Sequence, residues 1–225
     1  MLKLSKLNPK DLLIDSISSI NTDIMNFFSI DCSTDLCSLF IKFKNKSFSK
    51  VLQSDKYSND LLMKNILDFF GENNLNFNDL TTIFVNQGPG NFSGLRTSLS
   101  IAKGISLSKN LNLYGYNTFI WSCAQFLNKE NSIYSIIKFK EKYFFKKFNK
   151  KLKSISKARE ISKDDIIKNY RNELKVIPIN LKKNFDNKIL KLSNLCIAEL
   201  DHNMLESLQL EGLLNKDLIK PLYLS

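Results

Sequence analysis

The chain has 225 residues, 43% of them hydrophobic, which is enough to bury one large core or two smaller ones. No run approaches the roughly 18 consecutive apolar residues of a membrane span; the longest, Phe119 to Leu127, is interrupted by Ser122 and Gln125. A formal charge of +11 invites a nucleic-acid reading, but 30 of the 33 basic residues are Lys and three are Arg, so the forked side chains that read phosphates and bases are scarce.

Residues 1–24 show neither helical nor strand periodicity, and Asp11, Asp15 and Asp23 break up their apolar character. With no signal peptide evident, a cytosolic protein is expected. Met25 directly precedes a strong strand, so residues 1–24 read as an extension or a mis-assigned start. From Phe27 the pattern is a strand to Asp31, a polar turn, a return strand over Leu36–Phe43 and a third over Ser47–Leu52. A helix follows, with Ser58 as N-cap and Leu61, Leu62, Ile66, Leu67, Phe69 and Phe70 at helical spacing. Thr82–Asn86 reads as a buried strand, and a second helix covers Gly94–Ser108. Gly104 inside that helix predicts close packing against another element. Leu111–Tyr116 makes a further strand.

Beyond Asn117 the pattern predicts a helix over Thr118–Leu127 and a strand pair, Ile133–Lys140 with Tyr143–Asn149. Helices are expected over Lys163–Leu174 and Ser193–Leu208, with a strand near Val176–Ile179. No internal repeat and no linker rich in Gly, Ser or Pro is visible. The organisation expected is therefore an extension over 1–24, a first lobe over 25–117 and a second over 118–225. Cys32, Cys37, Cys123 and Cys196 form no CxxC pair and read as reduced, mostly buried thiols.

Two segments carry candidate chemistry. Asp31 ends a hydrophobic strand and opens a hydroxyl-rich turn with Ser33 and Thr34. Hairpins of this kind in actin and sugar kinases hold an acid and turn amides near phosphate and metal, although Asx and Ser/Thr turns are also common without ligands. Gly88-Pro89-Gly90 joins a strand to a helix N-terminus, and reads either as a tight connection or as a phosphate nest. It lacks the Lys of a P-loop. Arg96 either clamps an anion or fixes the loop. The only histidine, His202, lies in a polar stretch and reads as a surface residue. No catalytic constellation and no metal-ligand spacing is complete. Lys138 to Lys163 holds eleven Lys or Arg against Glu141 and Glu160, a solvated hairpin face or a patch for nucleic-acid phosphates.

Three segments together resemble the TsaB (YeaZ) family. Ile30-Asp31-Cys32-Ser33-Thr34 with Cys37-Ser38 is similar to its opening motif, Gln87 through Arg96 (QGPGNFSGLR) to its glycine-rich signature, and Pro221-Leu222-Tyr223-Leu224 to its closing motif. Tyr57 stands where the family commonly has His, Gln87 where it has Arg, and the mid-chain acidic motif is reduced to Ile136-Ile137-Lys138 ahead of Tyr143.

The resemblance implies an α/β, actin-like (ribonuclease H-like) fold of two lobes, the second divergent. It implies a non-catalytic subunit for threonylcarbamoylation of the adenosine beside the tRNA anticodon. Such a subunit pairs with TsaD, is served by the ATPase TsaE, and meets tRNA through the complex; alone it can homodimerise. It carries no metal and no intrinsic cofactor, with ATP or ADP a candidate at the partner interface near Asp31, Ser33, Thr34, Gly88, Gly90 and Arg96. The first two helices are the expected partner surface, through Leu61, Leu62, Phe69, Phe70, Leu95, Leu99 and Ile105, because their apolar residues span more than one core stripe. The rival readings are an autonomous actin-like phosphotransferase and a basic RNA-binding module.

Overall fold

The computed structural model describes residues 25–53, 59–170, 172–217 and 219–224. The expectations for residues 1–24, Tyr57 and Ser58 lie outside the described residues.

Two five-stranded sheets organise the chain. The first is built from β1 (Phe27–Asp31), β2 (Leu36–Phe43), β3 (Lys46–Gln53), β4 (Thr82–Asn86) and β5 (Asn112–Tyr116), in the order β3-β2-β1-β4-β5. β1 pairs antiparallel with β2 and parallel with β4. The second sheet uses β6 (Ser132–Phe139), β7 (Lys142–Asn149), β8 (Arg159–Ile161), β9 (Lys175–Pro178) and β10 (Leu195–Ala198), in the order β10-β9-β6-β7-β8. There β6 pairs antiparallel with β7 and parallel with β9. Read from the opposite edge, the second sheet repeats the topology of the first. No sequence repeat announces this, because the strand pattern is kept while the residues differ.

The two-residue period of a strand sends alternate side chains into different cores. Phe28, Ile30, Leu39, Ile41, Ile83 and Val85 face helices α1 (Asn59–Glu72) and α2 (Phe92–Lys109). Phe27, Phe40, Phe84 and Tyr116 face the other way, into a core shared with α3 (Thr118–Cys123), α6 (Met204–Leu210) and Ile133, Phe144 and Phe148 of the second sheet. The outer face of the second sheet packs Tyr134, Tyr143, Phe145 and Ile177 against α4 (Lys163–Asn169) and α5 (Asn187–Leu190). Both sheets are therefore covered on both faces, and the shared core ties the lobes together.

Local chemistry sets the helix ends. Asn91 caps α2 by accepting from the amides of Ser93 and Gly94 at 3.1 and 3.4 Å, and Asn110 stops it in the left-handed region at φ 53°. Asn117 caps α3 through the amide of Ile120 at 3.1 Å.

Several expectations are corrected here. The helix predicted to end at Leu174 stops at Asn169, and the stretch Ser193–Leu208 holds a strand before its helix. α3 ends at Cys123, where Ala124–Phe126 continues as a 3-10 turn. Gly104 is exposed, and a Cβ built there would meet nothing within 4 Å, so it does not mark close packing within the chain. Cys32 and Cys37 are joined in a disulfide, because the turn between the antiparallel β1 and β2 brings their Cα atoms to 4.1 Å. The other two thiols are free; burial pushes that of Cys123 up to about 12 and away from reactivity.

Candidate functional site

A cleft of about 760 Å³ opens between the lobes. Asp31, Ser33, Thr34 and Ser38 line it from the β1–β2 hairpin, and Pro89, Gly90 and Asn91 from the glycine-rich loop. The second lobe contributes Lys138 at the end of β6, Lys140 from the β6–β7 turn, Asn180 and Lys183 after β9, and His202 after β10.

Asp31 is buried at the end of β1 and accepts from the amide of Ser33 at 2.9 Å and from Asn86 Nδ2 at 3.0 Å. Burial raises its pKa, against those hydrogen bonds. Asn86, at the end of β4, is the linchpin. Its amide also donates to Thr118 Oγ1 at 3.0 Å and reaches Ser33 Oγ at 3.4 Å, while its Oδ1 accepts from the amide of Gly88 at 2.8 Å. One fully buried side chain thus fastens the acidic turn, the glycine loop and the start of α3.

The glycines work by close approach. A Cβ on Gly90 would stand 2.0 Å from the carbonyl oxygen of Ser33, and one on Gly94 2.3 Å from that of Cys32. The amide of Asn91 donates to the same Ser33 carbonyl at 2.7 Å. The loop is packed onto the Asp31 turn, and the first amides of α2 bind the Asn91 side chain. This geometry is that of a tight strand-to-helix connection.

The residues singled out for a nucleotide therefore divide. Asp31, Ser33, Thr34 and Gly90 share the cleft, whereas Gly88 is buried behind it against Leu95 and the carbonyl of Leu222. Arg96 is not part of the site. It is exposed on α2, with its guanidinium 3.9 Å from the Phe92 ring centroid and its Nε donating to Tyr223 Oη at 3.4 Å. The C-terminal segment docks on the loop elsewhere too: Leu222 donates to Gln87 O at 2.7 Å, and Gln87 Nε2 to Lys220 O at 2.8 Å. All three resembling segments thus meet in space, with the glycine loop between the other two.

His202 is the largest correction. It is buried, not on the surface, and its ring lies flat on Phe40 at 4.9 Å with Trp121 beside it. Its Nε2 bonds Ser38 Oγ at 3.0 Å and its Nδ1 bonds Ser29 Oγ at 3.0 Å. The register explains this: Ser29, Asp31, Ser38 and Phe40 all lie on the inter-lobe face of the first sheet. A serine-imidazole pair at a cleft invites a hydrolytic reading. Against it, the outer nitrogen meets a hydroxyl where a carboxylate would stabilise imidazolium, and burial lowers the ring's pKa to about 4, too low for an effective base at neutral pH. His202 pins the lobes together. The signal available in the sequence was a polar residue, Ser29, in an otherwise apolar strand.

The predicted partner residues are also corrected. Leu62, Phe69, Phe70, Leu95, Leu99 and Ile105 are all buried; all but Leu95 are grouped in the core under the first sheet. The wide apolar arc is consumed by two neighbours at once, the sheet and the adjacent helix. Of the seven, Leu61 alone is exposed, and the outward faces instead carry Leu67 on α1 and Leu107 on α2.

Fold and cleft define a two-lobed α/β protein of the actin-like, ribonuclease H-like class. The model of the family "TsaD: tRNA N6-adenosine threonylcarbamoyltransferase" matches residues 52–136. The tRNA threonylcarbamoyladenosine biosynthesis protein TsaB of Buchnera aphidicola subsp. Baizongia pistaciae is 30% identical over 88 residues, 39% of this chain and 40% of the relative. The TsaB of subsp. Schizaphis graminum is 29% identical over 90 residues, covering 40% and 43%. The matched stretch thus spans about two fifths of the curated relatives. Two solved structures share the fold: a protein similar to peptidase YEAZ from Pseudomonas aeruginosa (TM-score 0.68, 10% identity, 90% of this chain and 100% of that one) and YeaZ from Pseudomonas aeruginosa (0.65, 11%, 89% and 100%). Within that class the chain resembles the TsaB (YeaZ) proteins, in sequence over one stretch and in fold over both lobes.

Proposed function

We propose that this chain is the non-catalytic partner subunit of a cytoplasmic machinery that threonylcarbamoylates the adenosine beside the tRNA anticodon. It dimerises with and supports a TsaD homologue, a TsaE homologue supplies ATPase activity, and tRNA is met through the assembly. The observation that carries this reading is the TsaB sequence match joined to a YeaZ-like fold over both lobes. The geometry supports the partner role over the transferase role that the family-model match raises. The single histidine has both ring nitrogens bonded to serines, and the glycine loop spends its close approaches on the chain's own hairpin. ATP or ADP, on this reading, belongs to the partner interface and is not a resident cofactor.

The test is co-purification with a TsaD homologue, together with restoration of threonylcarbamoyladenosine to tRNA in a TsaB-depleted bacterium. Capture of TsaD and restored modification are expected. A folded protein that does neither sinks the proposal, and robust ATP turnover by the purified chain, lost in Asp31→Asn, favours the phosphotransferase.

A further inference from the structure

A second cavity, of about 600 Å³, lies where the C-terminal segment crosses between the lobes. Its charged lining is Lys146 of β7, Lys153 of the following turn and Lys220 of the C-terminal segment, with no Asp or Glu. In a chain with 30 lysines three neighbours could meet by chance, so their partners decide the matter. Among the described residues, seven lysines are withdrawn from solvent. Lys42, Lys50, Lys138 and Lys163 each face a carboxylate. Lys147 stands over the Tyr134 ring at 5.0 Å, and Lys175, fully buried, donates to the carbonyls of Tyr170 and Glu173 at 2.7 and 2.5 Å. Among the described residues Lys146 makes no hydrogen bond and no ion pair; its ammonium stands 5.5 Å from the centroid of the Phe148 ring. Burial lowers its pKa, as expected for an ammonium taken from water without compensation.

We propose that this cavity binds a phosphate group. A half-buried ammonium without an acceptor, joined by two more from separate segments, complements an anion of more than one charge. Apolar walls from Ile120, Phe148 and Leu152 keep the local dielectric low and strengthen each contact. The phosphate source is a free phosphorylated small molecule or an RNA backbone. In either case the anion links the second sheet to the C-terminal segment, which itself holds the glycine loop through Gln87. This inference is independent of the TsaD pairing.

The experiment titrates pyrophosphate into the full-length protein by calorimetry at constant ionic strength, and measures anisotropy of a labelled tRNA. Both are repeated in Lys146→Met and Lys220→Met. Saturable pyrophosphate binding, weakened about tenfold or more in each variant, is expected from loss of one charged hydrogen bond. Pyrophosphate that also displaces tRNA identifies the backbone as the source; tRNA indifferent to it identifies a small molecule. Absence of saturable pyrophosphate binding, or variants that bind like the native chain, overturns the proposal. Lys220 is exposed, so its variant keeps the test valid should Lys146→Met fail to fold.

Discussion

At the scale of single residues, His202 gives the structure a pH signature. Its folded pKa of about 4 lies below the roughly 6.5 of an exposed imidazole. Above about pH 6.5 the ring is neutral in both states and contributes no slope. As the pH falls from there toward 4, the unfolded chain takes up a proton that the folded one refuses. Stability is therefore lost across that window, by about 3 kcal/mol in all, and levels off below it. Asp31 acts in the opposite sense, since its raised folded pKa favours the folded state as acid is added. Comparison with His202→Gln isolates the histidine. Denaturant unfolding at pH 7 and pH 4.5 should show the native chain losing about 2 kcal/mol more than the variant; equal losses would mean the ring is solvated. Asn86 offers a second contrast. Asn86→Ala strips partners from buried Asp31, Thr118 and the amide of Gly88, so it should cost about 3 kcal/mol. Asn91→Ala removes a helix cap and should cost about 1 kcal/mol. Urea midpoints for the pair check the ranking.

At the scale of elements, what the sequence reveals depends on the length of each pattern. The first lobe is legible because β1, β2 and β4 are rich in apolar residues and its helices hold 14 and 18 residues, long enough for a helical period to show. After β7 the chain uses helices of seven, four and seven residues and strands of three or four. Apolar residues in such short pieces fit either period, so Leu195–Ala198 merges on paper with the helix after it. The site was half legible for a related reason. Asp31, Ser33 and Gly90 stand in local motifs, while His202 meets partners 164 and 173 positions away. Glycine gives the element-scale prediction, because one sequence feature has opposite consequences in two places. Gly104→Ala, in open space within a helix, should raise stability by about 0.5–1 kcal/mol. Gly90→Ala drives a methyl into the Ser33 carbonyl and should lower it by about 1–3 kcal/mol. Calorimetric melting of the two proteins gives shifts of opposite sign, or the packing of the loop on the hairpin is wrong.

At the scale of the molecule, the first sheet and its two helices form a unit with one face left over. α1 and α2 both bury their inner stripes in the same core, so their outward stripes look away from the sheet together. Lys64, Leu67, Asp68 and Gly71 recur at helical spacing on one, and Ser100, Lys103, Gly104 and Leu107 on the other. Leu107 is 85% exposed and Leu67 51%, a cost that a partner helix pair would recover. Substitution separates this surface from the core beneath it. Leu62→Asp places an unpaired charge at a fully buried position and should unfold the free protein. Leu67→Asp and Leu107→Asp should shift its stability by no more than about 0.5 kcal/mol. If the proposed TsaD pairing uses this face, each should weaken capture of the partner about thirtyfold, the loss of about 2 kcal/mol expected for a central apolar anchor. Melting curves and pull-downs on the same three proteins read both quantities. Exposed variants that keep their stability and still capture TsaD like the native chain would move the partner surface off these helices, leaving the likeness of the fold to YeaZ intact.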